Sequence, residues 1–218
     1  ANSRHQAMEM AVINYLWPTL TILLSIIIGR KKVSFWVYPS MIIAFLGVAW
    51  CITGDQKMSL DTLVTNFADN PATYLMALAA AFIWAIYCVV TQKLSNGKNA
   101  ITLFFTVTAM SLWAQYGFSN EAPLTFSLSS SITLLLAGVV VGSGYALWNQ
   151  AIIGGNLMLL GTLSYFTPVF STIISALYLS ITLSASFWQG VVLVTVGSLI
   201  CYFVTREKPK QPQIASAT

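Results

Sequence analysis

Apolar residues run along this chain in long blocks separated by short polar turns. Seven blocks stand out, at residues 7–29, 35–54, 72–93, 99–119, 131–152, 157–180 and 184–204. A helix needs about 20 such residues to cross ~30 Å of hydrocarbon. Backbone amides in lipid must be bonded within their own segment, so helices are the expected form of every block. The pattern predicts an all-α polytopic membrane protein with seven transmembrane helices. From Ala122 to Thr205 there is no Asp, Glu, Lys, Arg or His, enough chain for three spans joined by uncharged turns.

The connections include Arg30-Lys31-Lys32, Ser95-Asn96-Gly97 and Gly154-Gly155-Asn156. One longer polar segment, residues 55–71, carries Asp55, Asp61 and Asp69 and is expected to be an extracytoplasmic loop. Residues 205–218, with Lys208, Lys210 and two prolines, have the composition of a disordered cytoplasmic tail. Ala1 to Met10 shows neither the basic region nor the cleavage site of a signal peptide.

Composition agrees with lipid as solvent: 57% of the 218 residues are apolar and 7% charged, and the mean hydropathy is +0.76. Soluble domains carry roughly 25% charge. The net charge of +4 would point to an acidic or nucleic-acid partner only if the charges clustered; they lie between the apolar blocks instead. With the C-terminus inside, the cytoplasmic side collects Arg30, Lys31, Lys32, Lys93, Lys98, Arg206, Lys208 and Lys210, leaving Arg4 and Lys57 outside. That bias predicts a cytoplasmic C-terminus. Cys51, Cys88 and Cys201 fall inside apolar blocks at no metal-ligand spacing, so no metal or cofactor is expected.

Sliding the chain over itself by 150 residues aligns the first two blocks with the last two without a gap. Tyr15 meets Tyr165, Pro18 meets Pro168, Ser25 meets Ser175, Ser34 meets Ser184, Gly47 meets Gly197 and Cys51 meets Cys201. The second copy begins five helices after the first, and five is odd, so it crosses in the opposite sense. Inverted repeats of this kind build many secondary transporters. Three helices precede the Tyr-x-x-Pro helix of the second copy. The offset therefore predicts three further helices, on the order of 80 residues, ahead of residue 1 in a ten-helix, inverted five-plus-five protein. Residues 1–54 would then end the first repeat and residues 72–204 form the second.

No charged residue lies near the middle of a block, which leaves a phosphate-bearing solute or an intramembrane proton relay without its usual anchors. His5 and Glu9 come closest, at the outer mouth of the first helix, where each is either an interfacial residue or a contact for solute or protons. The blocks carry rings beside amides and hydroxyls instead. Asn14, Tyr15 and Trp17 adjoin Pro18; Trp84, Tyr87 and Cys88 share one helix face at i, i+3 and i+4, and Tyr145, Trp148 and Asn149 repeat that spacing. Tyr165 adjoins Pro168. Such faces either glue helices together or line a cavity, and spacing alone does not choose. Pro18 and Pro168 each remove a helical hydrogen bond and are candidate hinges. Gly138 and Gly142 form a Gly-x-x-x-Gly for which close helix packing is the expected reason. No nucleophile elbow, phosphate loop or metal cluster supports an enzyme.

The runs from Met10 to Pro18, Phe82 to Cys88, Gly144 to Asn149, Ser164 to Pro168 and Ser186 to Gly190 resemble aromatic amino acid exporters of the EamA branch of the drug/metabolite transporter superfamily. The resemblance covers essentially the whole chain to its last helix, and it extends to His5-Gln6-Ala7 and Glu9. It implies a ten-helix fold in the bacterial inner membrane and export of aromatic amino acids and related solutes, including cationic toxicants such as methyl viologen. It also implies the cavity reading for Asn14, Tyr15, Trp17, Trp84, Tyr87, Tyr145, Trp148, Asn149 and Tyr165. A broad drug exporter of the same fold, and a non-transporting membrane subunit or receptor, are the alternatives; a sealed aromatic core would favour the last.

The charge bias makes a direct prediction. Single cysteines placed by Lys98→Cys and Asp61→Cys should react with an impermeant thiol reagent from opposite faces of the membrane. Reaction of both from one face would reject the orientation.

Overall fold

The computed structural model describes residues 4–53, 60–120, 124–180 and 182–205. Among them the chain forms helices only: α1 (Arg4–Asn14), α2 (Trp17–Gly29), α3 (Val37–Thr53), α4 (Leu60–Asp69), α5 (Pro71–Leu94), α6 (Ile101–Gly117), α7 (Leu128–Gly154), α8 (Leu157–Ser164), α9 (Thr167–Leu179) and α10 (Ala185–Thr205). Residues 54–59, from the expected loop, and the tail from 206 lie outside the described residues.

Five helical stretches are long and apolar enough to cross a membrane: Gln6–Gly29, Pro71–Leu94, Leu128–Gly154, Leu157–Leu179 and Ala185–Thr205. The blocks at 35–54 and 99–119, counted in the sequence as full spans, form helices of 17 residues each. At 1.5 Å per residue these are about 25 Å long, a little short of the hydrocarbon thickness. The polar segment before Pro71, expected as a loop, holds helix α4. Leu60, Leu63, Val64 and Phe67 recur there at helical spacing, and this pattern outweighs the polar composition.

The first and fourth stretches are each interrupted. Pro18 and Pro168 offer no N–H to the carbonyls four residues back, on Asn14 and Ser164, and their rings crowd those carbonyls. The helix stops at each place and restarts after two residues, with Leu20 N–H bonded to the Leu16 carbonyl at 2.9 Å and Phe170 N–H to that of Phe166 at 3.0 Å. From the breaks to their C-terminal ends the two interrupted helices match at an offset of 150. One break falls between Asn14 and Trp17, the other between Ser164 and Thr167. Both end in a non-glycine left-handed cap, Arg30 at φ 47° and Ser180 at φ 53°.

Helices α3 and α10 make the closest contact. A Cβ at Gly47 would lie 2.5 Å from the Val194 nitrogen and 2.9 Å from the Gly190 carbonyl oxygen. One at Gly197 would lie 2.5 Å from the Ala44 nitrogen and 2.8 Å from the Ser40 carbonyl oxygen. Shifting one partner by +150 and the other by −150 turns the first pair of contacts into the second, so the contact is reciprocal. Gly190 in turn meets Cys51. Partner numbers fall along α10 as they rise along α3, so the helices run antiparallel. Around this seam Ile22, Ile26, Val37, Met41, Val48, Tyr165, Val169, Phe187 and Val194 form the main core.

Gly138 and Gly142 have open space where a Cβ would stand. The close approach expected of them belongs to Gly47, Gly190 and Gly197. Helix α6 buries none of its residues, and its apolar surface is one that only lipid or other helices can cover.

Gly197→Leu should force α3 and α10 apart at their backbones, costing about 1–3 kcal/mol or more through overpacking. Gly138→Ala should leave stability within about 0.5 kcal/mol. Thermal unfolding of the full-length protein in detergent measures both. Equal behaviour of the two variants would contradict the packing.

Candidate functional site

The two helix breaks open onto one cavity of about 560 Å³. Asn14 and Trp17 flank the first break and Ser164 and Thr167 the second; these are equivalent pairs under the 150-residue offset, and all four line the cavity. Helix α5 adds Ala80 and Trp84, four residues apart. Helix α7 adds Val141, Gly144, Tyr145 and Trp148, a stripe at i, i+3, i+4 and i+7. No charged side chain is among the lining residues.

Rings from three helices meet there. Trp17 stands edge-on to Trp84, with centroids 6.1 Å apart, and to Trp148, at 5.6 Å. Trp84 also meets Tyr145 at 5.6 Å. Each such pair is worth about 0.5–1.5 kcal/mol beyond burial. The Trp148 indole N–H is buried without a hydrogen-bond partner among the described residues. Trp84, Tyr145 and Trp148 thus line the cavity on one side, while Trp84 and Trp148 also pack against a buried cluster of Cys88, Val89, Ile152 and Leu157.

Of the residues singled out in the sequence, Asn14, Trp17, Trp84, Tyr145 and Trp148 come together here. Tyr87 borders an adjoining cavity that shares the Trp84 and Tyr145 rings, and its hydroxyl donates to Asn149 Oδ1 at 2.6 Å. Asn149 is 1% exposed and does not reach the central cavity. Tyr165 is fully buried in the main core, its hydroxyl 2.6 Å from Thr19 Oγ1. Tyr15 packs against the same core. The tyrosines at the two breaks thus fasten the interrupted helices to each other and to the core. Pro18 and Pro168 are buried at the breaks.

The His5 side chain lies outside the described residues. Glu9, 3% exposed, is tied inside the bundle: Asn66 Nδ2 of α4 donates to both carboxylate oxygens at 3.1 Å, and the Tyr74 hydroxyl of α5 donates to one of them. Sequence reasoning did not place Ala80, Val141, Gly144, Thr167 and Ser164 in the wall. The offset of 150 from Asn14 and Trp17 points to the last two, and helical spacing along α7 points to Val141. Among the described residues, no three His, Cys, Asp or Glu come together as a metal site.

Long apolar helices around an open, uncharged aromatic cavity, two of them broken beside it, define a multi-pass membrane transporter. Residues 71–203 match the EamA-like transporter family, and the chain belongs to that family. It is similar to proteins named aromatic amino acid exporter YddG from Salmonella typhimurium, 43% identical over 95% of this chain and 71% of that protein, and Escherichia coli, 41% identical over 94% and 70%. A protein of the same name from Ancylobacter novellus is 26% identical over 76% and 56%. A crystal structure with 21% identity shares the fold at a TM-score of 0.74, over 89% of this chain and 68% of that one.

Tyr165→Phe should cost about 1 kcal/mol of stability by removing the Thr19 bond, with little change in solute affinity. A selective loss of affinity, read from saturation of transport, would instead move Tyr165 into the site.

Proposed function

We propose that this transporter exports aromatic amino acids and related small amphipathic solutes across the bacterial inner membrane by alternating access. The observation that carries the reading is the convergence of Trp17, Trp84, Tyr145 and Trp148 on an uncharged cavity at two proline breaks. Rings suit a flat apolar side chain, and a cationic solute gains about 0.5–2 kcal/mol from a ring face. The breaks suit the zwitterionic end. The N-termini of α2 and α9 border the cavity through Trp17 and Thr167, and a helix N-terminus suits a carboxylate. The carbonyls of Asn14 and Ser164, with the Asn14 amide, can take an ammonium. The names borne by the Salmonella and Escherichia relatives support the same substrate class.

The reciprocal, antiparallel α3–α10 contact supports an inverted repeat about a two-fold axis in the membrane plane. In that architecture the seven helical blocks are the last seven of ten. Residues 1–54 close the first five-helix repeat, residues 55–71 cross the periplasmic side, residues 72–204 form the second repeat, and the C-terminus is cytoplasmic. Pro18 and Pro168 are the hinges about which the halves rock.

Trp84→Ala or Trp148→Ala should each cost about 1–3 kcal/mol of solute binding, roughly ten- to a hundred-fold in apparent affinity. Tryptophan and phenylalanine should suffer more than threonine, whose side chain is too small to reach both rings. Transport of radiolabelled amino acids by the full-length protein in liposomes measures this. An equal loss for every solute would assign the rings to packing, and unchanged transport by the double variant would remove them from the site.

A further inference from the structure

The central cavity is the first of three in a row. A cavity of about 270 Å³ between α5, α6 and α7 shares the Trp84 and Tyr145 rings with it. A third, about 280 Å³, lies at the far ends of α5 and α7 and shares Phe104 with the second. Thr91, Ser95, Lys98 and Asn149 also line the third, and Lys98 is the one charged residue among the linings of all three.

A hydrogen-bonded chain stands between the third cavity and the first. Tyr87 of α5 donates to Asn149 of α7 at 2.6 Å, and Asn149 Nδ2 donates to Asn99 Oδ1 at 2.5 Å. The same Asn99 oxygen accepts the Ile101 N–H at 3.0 Å, at the start of α6. One buried amide therefore pins three helices. Its second N–H has no partner among the described residues, and Asn149 lines the third cavity. Helix α6, which buries nothing, is held mainly at this end and along α7.

We propose that the Lys98 cavity is a second solute-binding compartment. It takes the carboxylate of the solute on the Lys98 ammonium and the ring against Phe104, and the Tyr87–Asn149–Asn99 chain is the latch between it and the central cavity. A solute carboxylate that reaches Asn149 competes for the amide that holds the latch. Arrival on the Lys98 face is thereby coupled to opening. The solute class rests on the function proposed above; the anion preference of the compartment does not.

The test uses the full-length protein in oriented vesicles, with tryptophan and its carboxylate-free counterpart tryptamine supplied on the Lys98 face. Lys98→Gln should raise the half-saturating concentration of tryptophan roughly three- to ten-fold with the maximal rate kept. Tryptamine, a cation that Lys98 repels, should lose no affinity, and Lys98→Arg should restore tryptophan. Equal change for both solutes, or none for either, would overturn the compartment.

A second arm needs no substrate. Ser95→Cys, in a background whose three native cysteines are buried, should react faster with a sulfonate-bearing methanethiosulfonate than with a neutral one, and Lys98→Gln should abolish the preference. No preference would overturn the proposal; a preference in a protein that moves no tryptophan would count against the substrate class alone. Tyr87→Phe should speed labelling of Gly144→Cys from the Lys98 face, and an unchanged rate would overturn the latch.

Discussion

The antiparallel seam of α3 against α10 is the constraint on which the site depends. Helices in lipid gain nothing from hiding apolar surface from water, so their association rests on close packing and hydrogen bonds. Gly47, Gly190 and Gly197 supply the close packing by letting backbone touch backbone. Because the contact is reciprocal, seating one helix seats the other. The broken helices that precede α3 and α10 are carried in as a matched pair, and their breaks border a single cavity. Trp17 and Thr167 line one cavity in a bundle that glycine at 47 and 197 allows to close.

The second organising element is α5, whose polar side chains tie it to its neighbours at both ends. Tyr74 and the α4 residue Asn66 hold Glu9 at one end. At the other, Gln92 bonds the Gly155 carbonyl at 2.9 Å and Lys93 Nζ that of Ile28 at 2.8 Å. These bonds close the carbonyl ends of α7 and α2, where lysine also suits the helix dipole. Unpaired polar groups are costly in an apolar medium, so each tie favours one arrangement of the helices. Between the tied ends, Ala80 and Trp84 are left to form the cavity wall.

Much of this was legible in the sequence because the signals were periodic. The offset of 150 residues found both proline breaks, and it governs features that identity alone does not reveal, such as the left-handed caps at Arg30 and Ser180. Helical spacing put Trp84 on one face of α5 and Tyr145 and Trp148 on one face of α7, while the cavity reading of those faces came from the family resemblance. Tyr15 and Tyr165 were misplaced because the residue beside a proline break can turn either to the cavity or to the core, and spacing does not distinguish the two once the helix is interrupted. Among the described residues no helix stands against the Gly138/Gly142 pair; small-residue spacing says only that a close approach is permitted. Helix α4 was missed because its aspartates were weighed above its apolar spacing.

Backbone equivalence at the two breaks has a further consequence, because it does not extend to the side chains. Where one copy presents Asn14 and Trp17, the other presents Ser164 and Thr167. In a carrier that alternates by exchanging the shapes of its two halves, identical walls would make the two facing states mirror one another in energy. An indole and an amide on one wall and two hydroxyls on the other lift that degeneracy. In the alternating carrier proposed above, a solute would meet different chemistry when the cavity faces each side, and these four side chains would contribute to the resting state and to the ease of release.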